Sequence, residues 1–301
     1  MLRKMRLARG LVFALSLSLA PAMVLAQASA AKPTPKPATK KAAPKARSLP
    51  EPEARAIEIL KASCAKLAAA GSMSFTALAA YEVPSLWGPP LIYGRISEVV
   101  LQRPDKLAVV TIGDGARSEF YDDGKVMMSF HPAENLVAIA DAPPTIDAAL
   151  DKLYGIAGTY FPFTDVIVAD PWKDMSTGLT GAFTVGESIL IGGTTTDVVA
   201  YETNGVFIQM WIGKDDKLPR MARAMYLDDP LQLRHSVQFS NWQLDPPAAP
   251  EKFTSAKAAS ADKIPFNHPK MKSDLPGAVK PVGSTKQPAA KPKPQPTPKS
   301  Q

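Results

Sequence analysis

Eleven short segments with the two-residue period of a strand, broken once by a helical stretch, constrain this chain more than any other feature. Six precede the break: Met73–Tyr81, Ile92–Gln102, Lys106–Ile112, Arg117–Tyr121, Lys125–Phe130 and Leu136–Ala140. Five follow it: Ala182–Leu190, Thr194–Glu202, Val206–Ile212, Met221–Leu227 and Leu233–Leu244. The spacing is that of an antiparallel meander, and "YDDGKVMMSF" holds its clearest turn, because Asp-Gly favours the left-handed backbone angles of a tight hairpin. So many strands in one open sheet are expected to curl. The segment Val206–Ile212 adds a further condition. Val206, Ile208, Met210 and Ile212 line one side while Phe207 and Trp211 line the other, whereas a strand with one wet face would alternate apolar and polar residues. The first set is expected to face the concave core and the second to make cross-strand contacts on the convex side.

Two helical stretches supply candidates for what covers the sheet. "PEPEARAIEILKASCAKLAAAG" opens on Pro50, Glu51, Pro52 and Glu53, which suit a helix N-terminus, and closes on Gly71, which suits a C-terminal cap. Ile57, Leu60, Cys64 and Leu67 share one face of it, so Cys64 reads as a small core residue rather than a nucleophile. The break after the sixth strand, "DAPPTIDAALDKLYGIAG", has Thr145 as a cap, Asp147 in the first turn and an apolar stripe of Ile146, Ala149, Leu150 and Leu153. "YFPFTDVIVADPWKDMSTG" continues it in short pieces rich in apolar bulk.

The ends of the chain have a different composition. Residues 1–28 carry Arg3, Lys4, Arg6 and Arg9 ahead of an apolar run and then small residues, the pattern of a cleaved export signal. The only cysteine lies far from that point, so no lipid anchor is expected, and a lone cysteine makes no internal disulfide. Residues 29–48 and 269–301 are Pro, Ala and Lys with few large apolar side chains, and are expected to be solvated tails. Residues 49–268 are expected to form one domain with the helical insertion at 145–176. Ten of the 35 basic residues lie in 1–48 and seven in 269–301, beside a single acidic residue, Asp274. The stretch between holds 18 basic and 27 acidic residues, so the overall charge of +7 belongs to the tails. A folded surface of that charge argues against a nucleic-acid partner. The basic tails suit an anionic envelope polymer or membrane surface. The expected location is the periplasm, as a soluble monomer without a lipid anchor.

Motifs for catalysis are missing. His131, His235 and His268 form no ligand pair at helical spacing, and no cysteine or carboxylate cluster completes a zinc pattern. There is no Gly-x-Ser-x-Gly elbow, and "GDGARS" at Gly113 reads as a hairpin turn rather than a phosphate loop. The doublets Asp122–Asp123, Asp215–Asp216 and Asp228–Asp229 sit at strand ends and read as solvated turns. No catalytic residue, metal site or cofactor is therefore expected; a carboxylate-dependent hydrolase is the rival from the enzyme class.

The stretch "LQRPDKLAVVTIGDGARSEFYDDGKVMMSFHPAENLVAIADAPPTIDAALDKL", followed by "ADPW", "VGESILIGGTTTDVVAYE", "FIQMWIGKDDKLPRMARAMYLDDP" and "FSNWQLDP", resembles a family of exported bacterial domains of unknown function. That family is similar to the superfamily of periplasmic lipoprotein carriers and outer-membrane lipoprotein receptors. The resemblance covers roughly 51–253 and implies an α+β fold, a curved antiparallel half-barrel of about eleven strands enclosing helices on its concave face. It also implies an apolar cavity between sheet and helical lid, and hence a carrier or binding protein for a hydrophobic, lipid-like ligand. An envelope scaffold whose core is filled by its own side chains is the alternative. On the cavity reading the lining candidates are Met128, Phe130, Leu150, Leu153, Phe161, Phe163, Ile167, Ile208, Met210 and Met225. Burying a methylene stabilises by about 0.8 kcal/mol, so part of an acyl chain suffices for useful binding.

Overall fold

The computed structural model describes residues 51–267. The signal segment, both basic tails and His268 lie outside the described residues. Helix α1 (Ala54–Ala69) leads into six strands: β1 (Ser72–Val83), β2 (Leu91–Gln102), β3 (Lys106–Gly113), β4 (Ser118–Asp123), β5 (Val126–His131) and β6 (Leu136–Asp141). Three helices follow, α2 (Ile146–Ala157), α3 (Thr164–Ile167) and α4 (Pro171–Ser176). Five more strands come next: β7 (Leu179–Ser188), β8 (Thr196–Thr203), β9 (Val206–Gly213), β10 (Pro219–Tyr226) and β11 (Arg234–Leu244). All eleven expected strands are present. A short α5 (Ala256–Ala259) and a three-residue β12 (Asp262–Ile264) close the described chain.

The twelve strands form one open, curved sheet in the order β12-β6-β5-β4-β3-β2-β1-β11-β10-β9-β8-β7. Each meander is antiparallel within itself, and the two are joined where β1 pairs with β11, Ala77 opposite Phe239. β12 departs from the meander by lying parallel to β6, with Lys263 opposite Val137. Three residues are too few to show a period, which is why the sequence carries no sign of this strand.

The strand order explains where the insertion lies. β6 and β7 stand near opposite edges of the sheet, so the chain between them must travel the width of a face. At roughly 4.8 Å per strand that path is long across a flat sheet and shorter across a curved one. The short helices of the insertion pack as they cross. Thr145 caps α2 by accepting from the Ala148 amide at 3.2 Å, Gly158 ends it with a left-handed backbone, and Ile146, Ala149, Leu150 and Leu153 are all buried. An aromatic chain runs from sheet to insertion and back: Phe120 to Phe161 at 5.7 Å, Phe161 to Phe163 at 5.4 Å, Phe163 to Phe75 at 5.6 Å, and Phe75 to Trp242 at 4.4 Å. Such ring pairs add attraction beyond the area they bury.

Helix α1 covers the other half of the same face. Leu60 and Ala56 pack with Val199, Tyr201, Met210 and Ile212, and Ile208 borders the cluster. This settles the register of β9. Val206, Ile208, Met210 and Ile212 face the helices, while Trp211 lies opposite Val198 and Met221 on the outer side. One end of α1 differs from expectation. Gly71 is not its cap: the helix ends at Ala70 in an extended conformation, and the Gly71 amide donates to Asp245 Oδ1 at 2.7 Å as the chain enters β1.

Candidate functional site: the helix-bearing face

Cross-strand partners point to the same side of a sheet, so the register assigns each candidate to a face. Leu150, Leu153, Phe161, Phe163 and Ile167 lie in the cluster between insertion and sheet, and Ile208 and Met210 lie beneath α1. Met128, Phe130 and Met225 do not join them. Met128 pairs with Tyr121 and Ile139, and Phe130 with Glu119 and Val137, on the face opposite Met127 and Phe120. There Met128 and Phe130 pack under Ala258 and Ala261 of the C-terminal segment, and the Lys257 ammonium sits 5.8 Å from the Phe130 ring. Met225 pairs with Phe207, also on the outer face. The expected common lining is thus divided by the sheet. In β5 both Met127 and Met128 are buried, one on each side, so apolarity alone does not tell the sides apart.

The register also shows what lies beneath the insertion. Ala77, Ala79, Ala222 and Ala224 face the helices from β1 and β10, and Ser97 and Thr111 continue the row, their hydroxyls 2.9 Å apart. Strand β11 runs between the two pairs of alanines and sets Val237 between Ala79 and Ala222, so the low floor on this face is the Ala222–Ala224 stretch of β10. Ala222 and Ala224 remain partly uncovered. At one end the floor meets an aromatic rim: Tyr93, Tyr81 and His235 stack at 6.1 and 6.4 Å, and Tyr226 stands edge-on to His235 at 5.4 Å. Burial lowers the pKa of the His235 imidazole, with Glu82 and Asp229 acting against it. On the insertion side Tyr160 keeps 42% of its surface exposed.

Asp165 of α3 is an acidic group of the insertion. Water reaches the residue, yet surrounding protein removes enough solvent to push its carboxyl up, with Asp174 adding a smaller effect. Its charge contributes, after burial, to the raised phenol pKa values of Tyr160, Tyr201 and Tyr226. The Tyr201 hydroxyl itself donates to the Met210 sulfur at 3.4 Å.

Arg103 is the residue that reasoning from sequence missed. Its half-buried guanidinium donates to three main-chain carbonyls, Ala70 at 3.2 Å, Ile167 at 3.0 Å and Val168 at 2.9 Å. It therefore ties the end of α1 and the end of α3 to the β2–β3 turn. The Asp147 carboxylate, accepting from the Ala169 amide at 3.0 Å, opposes the loss of basicity that burial causes in Arg103. The only trace in the sequence is a lone arginine before a proline.

The Cys64 thiol is buried, with its pKa pushed up to about 12 by burial first and by Asp170 second, which suits a core residue and not a nucleophile. Among the described residues no group of three or more His, Cys, Asp or Glu is placed to hold a metal ion. One acidic doublet differs from expectation: Asp122 is fully buried, because its strand turns it inward beside Met127, while Asp123 accepts from the amides of the turn.

The sequence matches, over residues 56–267, the family described as "Predicted periplasmic protein (DUF2092)", and the chain belongs to that family. Comparison with curated protein sequences gives no match. Among solved structures, the chain is similar to MucB in its complex with MucA from Pseudomonas aeruginosa. That likeness has 20% identity and a TM-score of 0.38, over 68% of this chain and 62% of that one. It is also similar to LprF from Mycobacterium bovis, with 14% identity over 66% and 100% of the two chains and a TM-score of 0.41. A third, a LolA superfamily protein from Nitrosomonas europaea, shares 10% identity over 66% and 97%, with a TM-score of 0.29. The chain spans 64% of MucB in a further structure, less than two thirds of that protein's length. At these scores the likenesses say nothing about ligand or activity.

Proposed function

We propose that this is a periplasmic binding or carrier protein that holds an apolar, lipid-like molecule on the helix-bearing face, between the insertion and strands β9–β11. The observation that carries this reading is the partly uncovered floor of Ala222 and Ala224 beside the rim of Tyr81, His235 and Tyr226. Small residues there leave height for a chain, the rim offers rings to its exposed end, and binding replaces water on apolar surface without a covalent step. Leu150, Leu153, Phe161, Phe163, Ile167, Ile208 and Met210 supply the surrounding walls. The insertion is the element that moves to admit the ligand, with Arg103 holding its closed position.

Native mass spectrometry of protein taken from its own periplasm without detergent, followed by solvent extraction, tests the reading. A bound lipid is the expected result. Ala224→Trp fills the floor and is expected to abolish saturable, lipid-displaceable binding of a fluorescent fatty acid while leaving the circular dichroism unchanged. Equal binding by the variant would refute the location. A second reading, a scaffold whose core is filled by its own side chains, is favoured by the near-complete burial of Phe163, Ile167 and Leu153. On that reading the basic tails make the envelope contacts. It predicts a bare mass, no uptake of added lipid, and co-purifying protein or polymer partners.

A further inference from the structure

The two most exposed apolar residues of the described chain lie on a finger that extends from the Tyr81–Tyr93 end of the sheet. The β1–β2 connection carries Leu86 and Trp87, which are 101% and 91% exposed, and it runs into Leu91 and Ile92 at 52% and 70%. A folded surface seldom leaves a leucine and a tryptophan side by side in water without a use. Three properties fit the finger to a bilayer. First, residues 83–93, "VPSLWGPPLIY", contain no charged side chain, so insertion carries no ionic desolvation cost. Second, its backbone is largely provided for. Pro84, Pro89 and Pro90 have no N–H to satisfy, the Trp87 amide donates to Ser85 Oγ at 3.3 Å and the Gly88 amide to the Ser85 carbonyl. Third, Ile92 at the base of the finger opens into a shallow outer groove that also holds Arg223, Arg234 and Glu82. Arg234 is paired with Glu82, its Nε 3.0 Å from Oε2, so the groove has one guanidinium more than its carboxylate balances.

We infer that this finger is a membrane-docking device: Leu86 and Trp87 enter the interface of a bilayer containing anionic phospholipid, and Arg223 meets a headgroup phosphate in the groove beside them. Tryptophan suits that depth because its ring is apolar and its N–H prefers the wet headgroup layer. An anionic leaflet attracts a guanidinium held near its surface. This inference does not depend on a ligand bound at the helix-bearing face.

The test uses the full chain, with vesicles of phosphatidylcholine alone or mixed with phosphatidylglycerol, and brominated acyl chains as quencher. The basic tails can bring the protein to anionic vesicles by themselves, so the readout is local: the fluorescence difference between wild type and Trp87→Phe. Expected are a blue shift and bromine quenching of that difference signal. Leu86→Asp lies at a fully exposed position and leaves the fold intact. It should lower partitioning at least ~10-fold, given the transfer free energy of one leucine. Arg223→Gln should weaken binding to the mixed vesicles and not to the neutral ones. A Trp87 signal unquenched while the protein still cosediments would overturn the inference, as would a Trp87 shift produced by a protein partner and not by lipid.

Discussion

At the scale of single residues, Asp122 carries the clearest consequence. It has no exposed surface, Oδ1 accepts from the Gly124 amide at 2.9 Å, and Oδ2 has no hydrogen-bond partner. Burial above all, with Asp123 and Asp105 beside it, raises its pKa from 3.8 to about 6. A carboxyl raised in the folded state binds its proton there while the unfolded chain has already released it. Its contribution to stability is therefore full below the unfolded value of 3.8 and is lost as pH rises through about 6. The loss is about 3 kcal/mol for a shift of that size. Asp122→Asn is expected to flatten this fall, which urea unfolding across the same window would measure. An unchanged slope would assign the titration elsewhere. Local spacing placed Asp122 in a wet turn, since an Asp-Asp-Gly sequence is common there. Only the pairing of β4 with β5 shows that its side chain turns inward while that of its neighbour stays with the turn.

At the scale of elements, the insertion rests on apolar packing and on one polar fastening. The stripe of α2 and its Thr145 cap were legible in the sequence, because both are local patterns of period and end chemistry. The fastening was not, because Arg103 reaches carbonyls 33 to 65 residues distant along the chain. Lysine offers a point charge in place of a planar fork and cannot serve three carbonyls in that geometry. Arg103→Lys is expected to destabilise the protein by about 2–3 kcal/mol, from lost charge-assisted bonds and orphaned carbonyls. Hydrogen exchange should show the loss concentrated at Ile167 to Ala169. Uniform exchange across the sheet would mean that Arg103 supports the fold generally rather than the insertion.

At the scale of the whole molecule, a strap on the outer face joins ends that no local pattern connects. After β11 the chain passes through a single 3-10 turn, Pro250–Phe253, which contacts β3 and β4, then lays α5 on β5 and β6 and adds β12 to the edge. Phe253, Phe130 and Ala258 are fully buried by this passage, and Phe266 returns to the cluster on the helix-bearing side. Ending the chain after Leu244 is expected to expose Met128, Phe130 and the open edge of β6. The unfolding midpoint should fall and association should rise, since an uncovered strand edge is a pairing site. Phe130→Ala in the intact chain should cost about 3–5 kcal/mol through the cavity it leaves. A truncated chain that stays monomeric with an unchanged midpoint would show the strap to be ornamental. By itself the sequence determined the eleven strands, the helical break between them and the composition of the tails, because period, caps and turn residues act over a few positions, whereas the inward side of β9 needed the packing of α1 against Met210 and Ile212. Tertiary structure alone decided that Met128, Phe130 and Met225 lie across the sheet from Phe161 and Phe163, that Arg103 ties α1 and α3 to the β2–β3 turn, and that Ala222 and Ala224 stay partly uncovered on the helix-bearing face. Those facts depend on register and strand order, which bring together residues far apart in the chain.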